Sequence, residues 1–480
     1  MDQQHYSYGM IGLGTMGCNL ALNMADKGFS VAGYDKDPAK TTNLNALGAE
    51  KNVQAFNSIQ EFCSSLKIPR VIMLLVPAGP IVDFVINDLK PFLNAEDLII
   101  DCGNSHFKDT QKRIDELSKE NLHFMGLGIS GGETGARLGP SIMPGGNKDA
   151  YERISPMLKE VSAKVYMPTA QAGNEPCVAY MGSGAAGHYV KMVHNGIEYA
   201  LMQLITETYH LLKAYTRLSN DEMHLVFKKW NQGKLQSFLT EITAAILLQK
   251  DENSKESLLD KISDTAHQKG TGAWMSQDAM AIQSPIPVID AAVSQRELSS
   301  LKAERIEAEK LIDKKEIEFT GDTEVFINQL EDSLYFATIT VYAQGIAMLK
   351  HASDIHQYNT DIASVAKVWR GGCIIRAALL EDIYKAYSEQ PGLQNFLLEN
   401  NFSSILKSLR QATGNTIASG IQNRIPLPCF SASIAYYDSY HSAWLPANLI
   451  QAQRDFFGAH TYERLDKTGI FHTNWHQEIL

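Results

Sequence analysis

The sequence is short of the features that mark metal sites, membranes and nucleic-acid binding. Its 480 residues hold only six cysteines, Cys18, Cys63, Cys102, Cys177, Cys373 and Cys429, each standing alone. Without C-x-x-C pairs they suit no zinc ribbon, and at this density they form no secreted disulfide scaffold. They are expected to be reduced interior residues. No apolar run approaches the roughly 20 residues that span a bilayer, and MDQQHYSYG lacks a basic region followed by an apolar one. Cytoplasmic residence is the default expectation. Positive charge is also scarce: 43 Lys and Arg against 54 Asp and Glu leave a net −11, which argues against non-specific nucleic-acid binding. The short pairs Lys228-Lys229 and Lys314-Lys315 are simplest as solvated helix faces. An anionic ligand must therefore meet a local basic cluster. Internal repeats and low-complexity tracts are absent.

What remains is ordinary globular composition, 44% hydrophobic and 20% charged, long enough for two or three cores. From Tyr8 the pattern runs strand, glycine turn, helix, and a second apolar run, SVAGYD, ends at Asp35. The turn Gly12-Leu13-Gly14-Thr15-Met16-Gly17 sits where a strand gives way to a helix. Glycines there let a dinucleotide pyrophosphate approach the backbone and the helix N-terminus. A lone GxGxxG is weak; flanked by a readable strand and helix, with an acid ending the next strand, it predicts a dinucleotide site. VIMLLV (71–76), LIID (98–101) and HFMGL (123–127) continue the rhythm, predicting a Rossmann-like parallel, doubly wound α/β sheet with helices on both faces. Loops after such strands carry ligand chemistry. They are Val76-Pro77-Ala78 after the third strand, Asn104 in Cys102-Gly103-Asn104-Ser105 after the fourth, and the glycine-rich segment 129–146 with Ser130, Gly131 and Gly132. Plain turn chemistry is the alternative for each, and for Pro77 alone the preferred one.

Beyond about residue 180 long helical periodicities replace the alternation. The segments 188–215, 324–352 and 371–389 are expected as buried or amphipathic helices of an all-α domain. The expected boundaries are 1–181 for the dinucleotide domain, 182–440 for the helical domain and 441–480 for a tail. The chain is organised around Gly182 to Tyr199. At about 100° per residue Lys191, His194, Asn195, Glu198 and Tyr199 share one side of a helix, with Val193, Ile197 and Leu201 on the other. A solvated surface face is the bland alternative. Against it stand two features. The run Gly184-Ala185-Ala186-Gly187 clears the helix start for close approach. The stripe also combines a Lys and a Glu with an imidazole and an amide between them, suited to proton transfer around a small polyol or acid. Lys269 and Thr271 in a Gly-flanked turn, Arg296, and Arg454 and His460 among aromatics are, taken singly, surface residues.

Together the motifs IGLGTMG, IIDCGNS, ISGGETGARLGPSIMPGGN, GAAGHYVKMVHNGIEY, ISDTAHQKGTGAW, VWRGGCIIR, IPLPCFSASIAYYDSY and LPANLIQAQRDFFGAHTYE, in this order, resemble the decarboxylating 6-phosphogluconate dehydrogenases nearly end to end. The resemblance implies oxidative decarboxylation of 6-phosphogluconate to ribulose 5-phosphate and CO2 in the oxidative pentose phosphate pathway. In that family the Lys matching Lys191 is the general base at the C3 hydroxyl and later an acid, and the Glu matching Glu198 protonates C1. Substrate contacts map onto Asn104, Ser130, Gly131, Gly132, His194 and Asn195. The phosphate maps onto Tyr199, Lys269, Thr271, Arg296, Arg454 and His460. No metal is implied. A homodimer is implied in which the C-terminal segment of one subunit completes the other's site.

The resemblance implies NADP, yet the local charges differ from the family's usual Asn-Arg-Ser/Thr. Here the second strand ends in Asp35-Lys36-Asp37. A carboxylate there accepts hydrogen bonds from ribose hydroxyls and repels a 2′-phosphate. Pro77 stands where many relatives carry Lys, and Lys36 lacks the planar fork of Arg. The expectation is therefore NAD or dual use, with NAD at least as efficient. Two rival functions stand beside the main one. A non-decarboxylating β-hydroxyacid dehydrogenase normally ends near 300 residues without KGTGAW, and a catalytically silent nucleotide-binding module is expected to have lost Lys191 or Glu198.

Overall fold

A computed structural model describes residues 5–166, 174–268, 270–312 and 319–475. It contains two compact units, Met1–Ser433 and Ile434–Leu480.

In the first unit seven strands form one sheet: β1 (Tyr8–Ile11), β2 (Val31–Tyr34), β3 (Val53–Phe56), β4 (Val71–Leu74), β5 (Leu98–Asp101), β6 (His123–Ser130) and β7 (Ser141–Gly145). Their order is β3-β2-β1-β4-β5-β6-β7. All neighbours are parallel except β6 and β7. Successive side chains of a strand point to opposite faces, and each face carries its own apolar core. Met10, Met73, Ile100 and Met125 join the core under helix Thr15–Asp26. Ile11, Ile72, Ile99 and Phe124 join the one under helix Pro80–Leu89. Burial on both faces is why these strands read as continuous apolar runs.

Three sequence expectations need correction. β3 was not foreseen, so the loop at Val76 follows the fourth strand and the loop at Asn104 the fifth. β3 is an edge strand with Gln54 exposed, too short and too polar to stand out. The sheet is not wholly parallel, because the segment 129–146 is no single loop: it holds the end of β6, helix Gly132–Leu138 and β7, paired from Gly126↔Gly145 to Ser130↔Ser141. Finally, the helix expected from Gly371 begins at Leu379. Gly372 has φ +68° and its carbonyl accepts from Ser141 N at 2.9 Å, which holds this stretch against β7 as a turn.

Beyond a short antiparallel pair of strands, Lys164–Tyr166 with Asn174–Pro176, the rest of the first unit is mainly helical. Helix Ala186–His210 packs against β6 and β7 on one side and against helices Thr271–Ala281, Pro287–Ser300 and Thr323–His356 elsewhere. Every residue from Ala186 to Ile197 is buried. The polar stripe is thus no solvated face, and burying Lys and His at this depth costs free energy unless they are paired or hydrogen-bonded. Glycine makes the position possible: a side chain at Gly187 would strike the carbonyls of Gly126 and Met143, and one at Gly128 would come within 2.6 Å of Lys191 Cβ.

The second unit is small. Within it helix Ala447–Gly458 carries Asp455, fully buried, which accepts from Thr461 N (2.9 Å), Thr473 N (3.0 Å) and Trp475 Nε1 (2.8 Å) and faces His472 Nδ1 (2.9 Å). Among the described residues, no helix is long and apolar enough to cross a membrane. All six cysteines are free and buried.

Candidate functional site

At the carboxyl end of β1 each glycine of the turn has a distinct physical reason. Gly12 has φ +92° and leaves no room for a side chain beneath the Leu75 carbonyl. A side chain at Gly17 would collide with the Gly12 carbonyl, so helix and strand could not close together. At Gly14, the residue preceding helix Thr15–Asp26, a Cβ would meet nothing within 4 Å. Open space before a helix N-terminus whose side chains supply no cap is what a dinucleotide pyrophosphate requires. The residues present fit such a cofactor.

The strand end beside it carries mixed charge. Asp35 accepts from Leu13 N at 2.7 Å and from Asp37 N at 2.9 Å, bracing the turn. Asp37 caps the next helix by accepting from Ala39 N at 3.0 Å. Lys36 is exposed and lies 3.5 Å from Asp88. Position 77 contributes no cation, but Lys40, which sequence reasoning passed over, holds its Nζ 3.5 Å from Asp35 Oδ2. Its signal was local: it sits one helical turn beyond the capping Asp37.

Lys191, Asn195, Asn104 and Thr271 line a small cleft together with Ser105, His188, Met192 and Trp274. Thr271 opens its helix behind Gly270, whose φ is +90°. Lys191 is buried over Gly128 of β6. His194 is fully buried, with Nδ1 3.5 Å from Lys191 Nζ and Nε2 3.2 Å from Ser130 Oγ. Nδ1 also faces Asn195 Oδ1 at 3.3 Å, so it stands between an amine that can donate and an amide oxygen that only accepts. Gly131 and Gly132 follow with φ +114° and +61°, and a side chain at Gly131 would reach to 2.5 Å from the Gly372 carbonyl. Tyr199 lies against Arg296, whose guanidinium carbon is 3.6 Å from the ring centroid, a cation–π contact that holds the arginine in place.

Electrostatics separates the titrating groups. Burial pushes the Lys191 ammonium below its ordinary value of 10.5, with Glu198 pulling the other way. Burial pushes the Glu198 carboxyl above 4.5, opposed by Lys191 and Arg296. Burial and then Lys191 hold His194 well below its usual range. His194 Nδ1 and Glu198 Oε2 are 3.7 Å apart, but a neutral imidazole makes this contact no ion pair. Burial thus shifts the amine toward its neutral form and the carboxyl toward its protonated form on one helix.

Of the residues picked from sequence, the structure brings Asn104, Lys191, Asn195 and Thr271 to one cleft, with His194 and Ser130 beside Lys191 and with Tyr199 against Arg296. Lys269 lies outside the described residues. Arg454 and His460 lie in the second unit, both exposed; Arg454 Nη1 donates to Gln451 Oε1 at 3.0 Å. His188, Ser105 and Trp274 were not singled out, although all stand inside the motifs quoted above.

Two family models match the chain: the NAD binding domain of 6-phosphogluconate dehydrogenase over residues 7–194, and the 6-phosphogluconate dehydrogenase C-terminal domain over residues 187–475. A Bacillus subtilis (strain 168) protein described as NADP(+)-dependent, decarboxylating 6-phosphogluconate dehydrogenase is 48% identical over 468 residues, 97% of this chain and 98% of that one. An Escherichia coli decarboxylating 6-phosphogluconate dehydrogenase is 48% identical over 467 residues, with the same coverage. Among solved structures, the Plasmodium falciparum 6-phosphogluconate dehydrogenase, described in its apo form, with NADP+ and with 6-phosphogluconate, superposes with a TM-score of 0.93. It is 40% identical, and the match covers 98% of this chain and 100% of that one.

Proposed function

We propose a division of chemical roles that proceeds from one premise: the chain belongs to the 6-phosphogluconate dehydrogenase family. Its reaction is the oxidative decarboxylation of 6-phosphogluconate to ribulose 5-phosphate and CO2 with reduction of a nicotinamide dinucleotide; the non-decarboxylating alternative is not supported. The observation that carries the division is the opposed displacement of Lys191 and Glu198, one lowered and one raised toward neutrality.

A neutral Lys191 takes the proton of the substrate C3 hydroxyl. The nicotinamide, when bound, accepts the hydride from C3. The product is a 3-keto acid, a β-keto acid that loses CO2 once its carbonyl is polarised, and the protonated Lys191 donates to that ketone oxygen. Glu198, holding its proton, delivers it to C1 of the resulting enediol, while the C2 hydroxyl returns its proton to Lys191 and becomes the ketone of the product. Such a pair of groups, shifted apart by environment, is how one site does acid and base work near neutral pH. Ser130, Gly131, Gly132, Asn104, His194 and Asn195 hold the carboxylate and hydroxyls. Tyr199, Lys269, Thr271 and Arg296 take the phosphate with Arg454 and His460 of the partner subunit in a homodimer, the local cation cluster that an acidic protein needs. Residence in the cytoplasm and a place in the oxidative pentose phosphate pathway follow from that activity.

For the cofactor, Gly12 to Gly17, Val76 to Ala78 and Asn104 hold the dinucleotide. NADP is the cofactor named for the Bacillus subtilis relative. Here two carboxylates and two ammonium groups, Asp35, Asp37, Lys36 and Lys40, share the strand end, which supports use of NAD alongside NADP. Steady-state assays with 6-phosphogluconate and each dinucleotide, following reduced nicotinamide and released CO2, test both parts. Reduction without CO2 overturns the decarboxylating role, and a strong preference for NADP overturns dual use.

A further inference from the structure

Behind the cleft lies a second layer, buried at Asp101, Arg113, Thr110 and His188, that no part of the reaction above uses. Asp101 ends β5 and is 0% exposed. Its Oδ1 accepts from Gly103 N at 3.0 Å and its Oδ2 from Ser105 Oγ at 2.6 Å. One carboxylate therefore grips both neighbours of Asn104. Arg113, on helix Phe107–Leu117, extends toward it: Nη1 is 3.7 Å from Asp101 Oδ2, an ion pair rather than a hydrogen bond. The remainder of the guanidinium points to the other loop. Nη2 donates to the Gly79 carbonyl at 3.0 Å and to Asp83 Oδ2 at 2.9 Å, and Nε to Asp83 Oδ1 at 2.7 Å. Gly79 directly follows Val76-Pro77-Ala78 and, at φ +91°, turns the chain into helix Pro80–Leu89.

The same carboxylate-bearing residue also reaches the catalytic helix. His188 Nε2 lies 3.1 Å from the Asp101 carbonyl, and because a carbonyl only accepts, Nε2 carries the proton. Nδ1 is left to accept from the Thr110 hydroxyl at 2.6 Å. His188 is one helical turn before Lys191, so the carboxyl end of β5, helix Phe107–Leu117 and the catalytic helix meet at one point.

We propose that Arg113 and Asp101 are a positioning pair: the guanidinium fixes the loop of Val76–Ala78 against the loop of Asn104, and so sets the seat of the dinucleotide relative to Lys191. This rests on the assignment of those loops to the dinucleotide. A planar fork is needed because three acceptor atoms of Gly79 and Asp83 are met in one fixed geometry while the remaining nitrogen is kept toward Asp101, which a single ammonium cannot do. Neither residue lines the cleft, and both act through the backbone they hold.

The test uses full-length protein and two variants. Arg113→Lys keeps the charge and loses the fork. Asp83→Asn weakens the outer anchor; the Asp83 side chain is 52% exposed, so this variant folds. Arg113→Lys is expected to raise KM for the oxidised dinucleotide about tenfold or more, in line with the large cost of small misplacements at reacting centres. The dissociation constant of the reduced dinucleotide, read by its fluorescence, should rise by a similar factor. Asp83→Asn should move both constants the same way by a smaller factor, and KM for 6-phosphogluconate should stay within about twofold in both, since uniform loss of cofactor binding raises only the cofactor's KM. Cofactor constants within about twofold of wild type in both variants, with only the thermal midpoint lowered, overturn the inference and leave a structural pair. Wild-type protein that binds the reduced dinucleotide without turning over 6-phosphogluconate overturns the functional reading alone, because the dissociation constants still report on the loops.

Discussion

At the scale of single residues the site turns on where two protons sit. Lys191→Ala removes the amine proposed as the general base, and its activity is expected to fall by roughly 10² to 10⁴, the usual worth of general base catalysis. The protein should remain folded, because the change leaves apolar contact along the helix. Glu198→Gln should leave the oxidation step and slow protonation at C1, so that reduced dinucleotide and CO2 form in a first turnover while ribulose 5-phosphate lags; equal loss of both halves would assign Glu198 elsewhere. The pH dependence has a defined sign. Lys191 works deprotonated and burial lowers its pKa, so the oxidation half-reaction should rise with pH and level off below pH 10.5. Single-turnover dinucleotide reduction from pH 6 upward checks this, and a rate still climbing beyond the ordinary lysine range would show that the amine is not desolvated.

At the scale of elements the lesson lies in glycines that do opposite jobs. Gly187→Ala places a methyl against backbone of β6 and β7, atoms with no side-chain rotamer to yield, so overpacking should cost about 1–3 kcal/mol or more and lower the thermal midpoint. Gly14→Ala meets open space; it should leave that midpoint unchanged and instead raise the KM of the dinucleotide by crowding its pyrophosphate. Thermal unfolding and steady-state kinetics on the two variants separate the roles. The same contrast explains what sequence could tell. β1, β2, β4, β5 and β6 were legible because two-sided burial writes them as apolar runs, and Lys191 to Tyr199 because helical spacing gathers polar types on one side. β3 was hidden by its single buried face. β7 was hidden because Gly139, Pro140 and Gly145-Gly146 look like a loop until the ladder to β6 is drawn. Arg113 and Asp101 were invisible for another reason: an arginine in a charged amphipathic helix and an aspartate at a strand end have no spacing that joins them.

At the scale of the whole molecule the homodimer proposed above makes a prediction about chains in combination. Lys191→Ala and Arg454→Ala should each be inactive alone, and mixed heterodimers should regain activity at sites that draw both intact halves. Heterodimers verified by tag capture yet inactive would mean that each chain builds its own site. A different consequence follows from the burial of every thiol. Cys63 and Cys177 are pushed up to about 11 and Cys373 to about 12, in each case first by burial, so none offers thiolate to an alkylating reagent in the native state. Iodoacetamide should therefore be a clock rather than a poison. Each adduct records that its neighbourhood has opened, Cys18 and Cys63 timing the two faces of the sheet and Cys429 the start of helix Pro428–Tyr440. The order in which mass spectrometry finds them alkylated in mild denaturant would be the order in which the molecule comes apart.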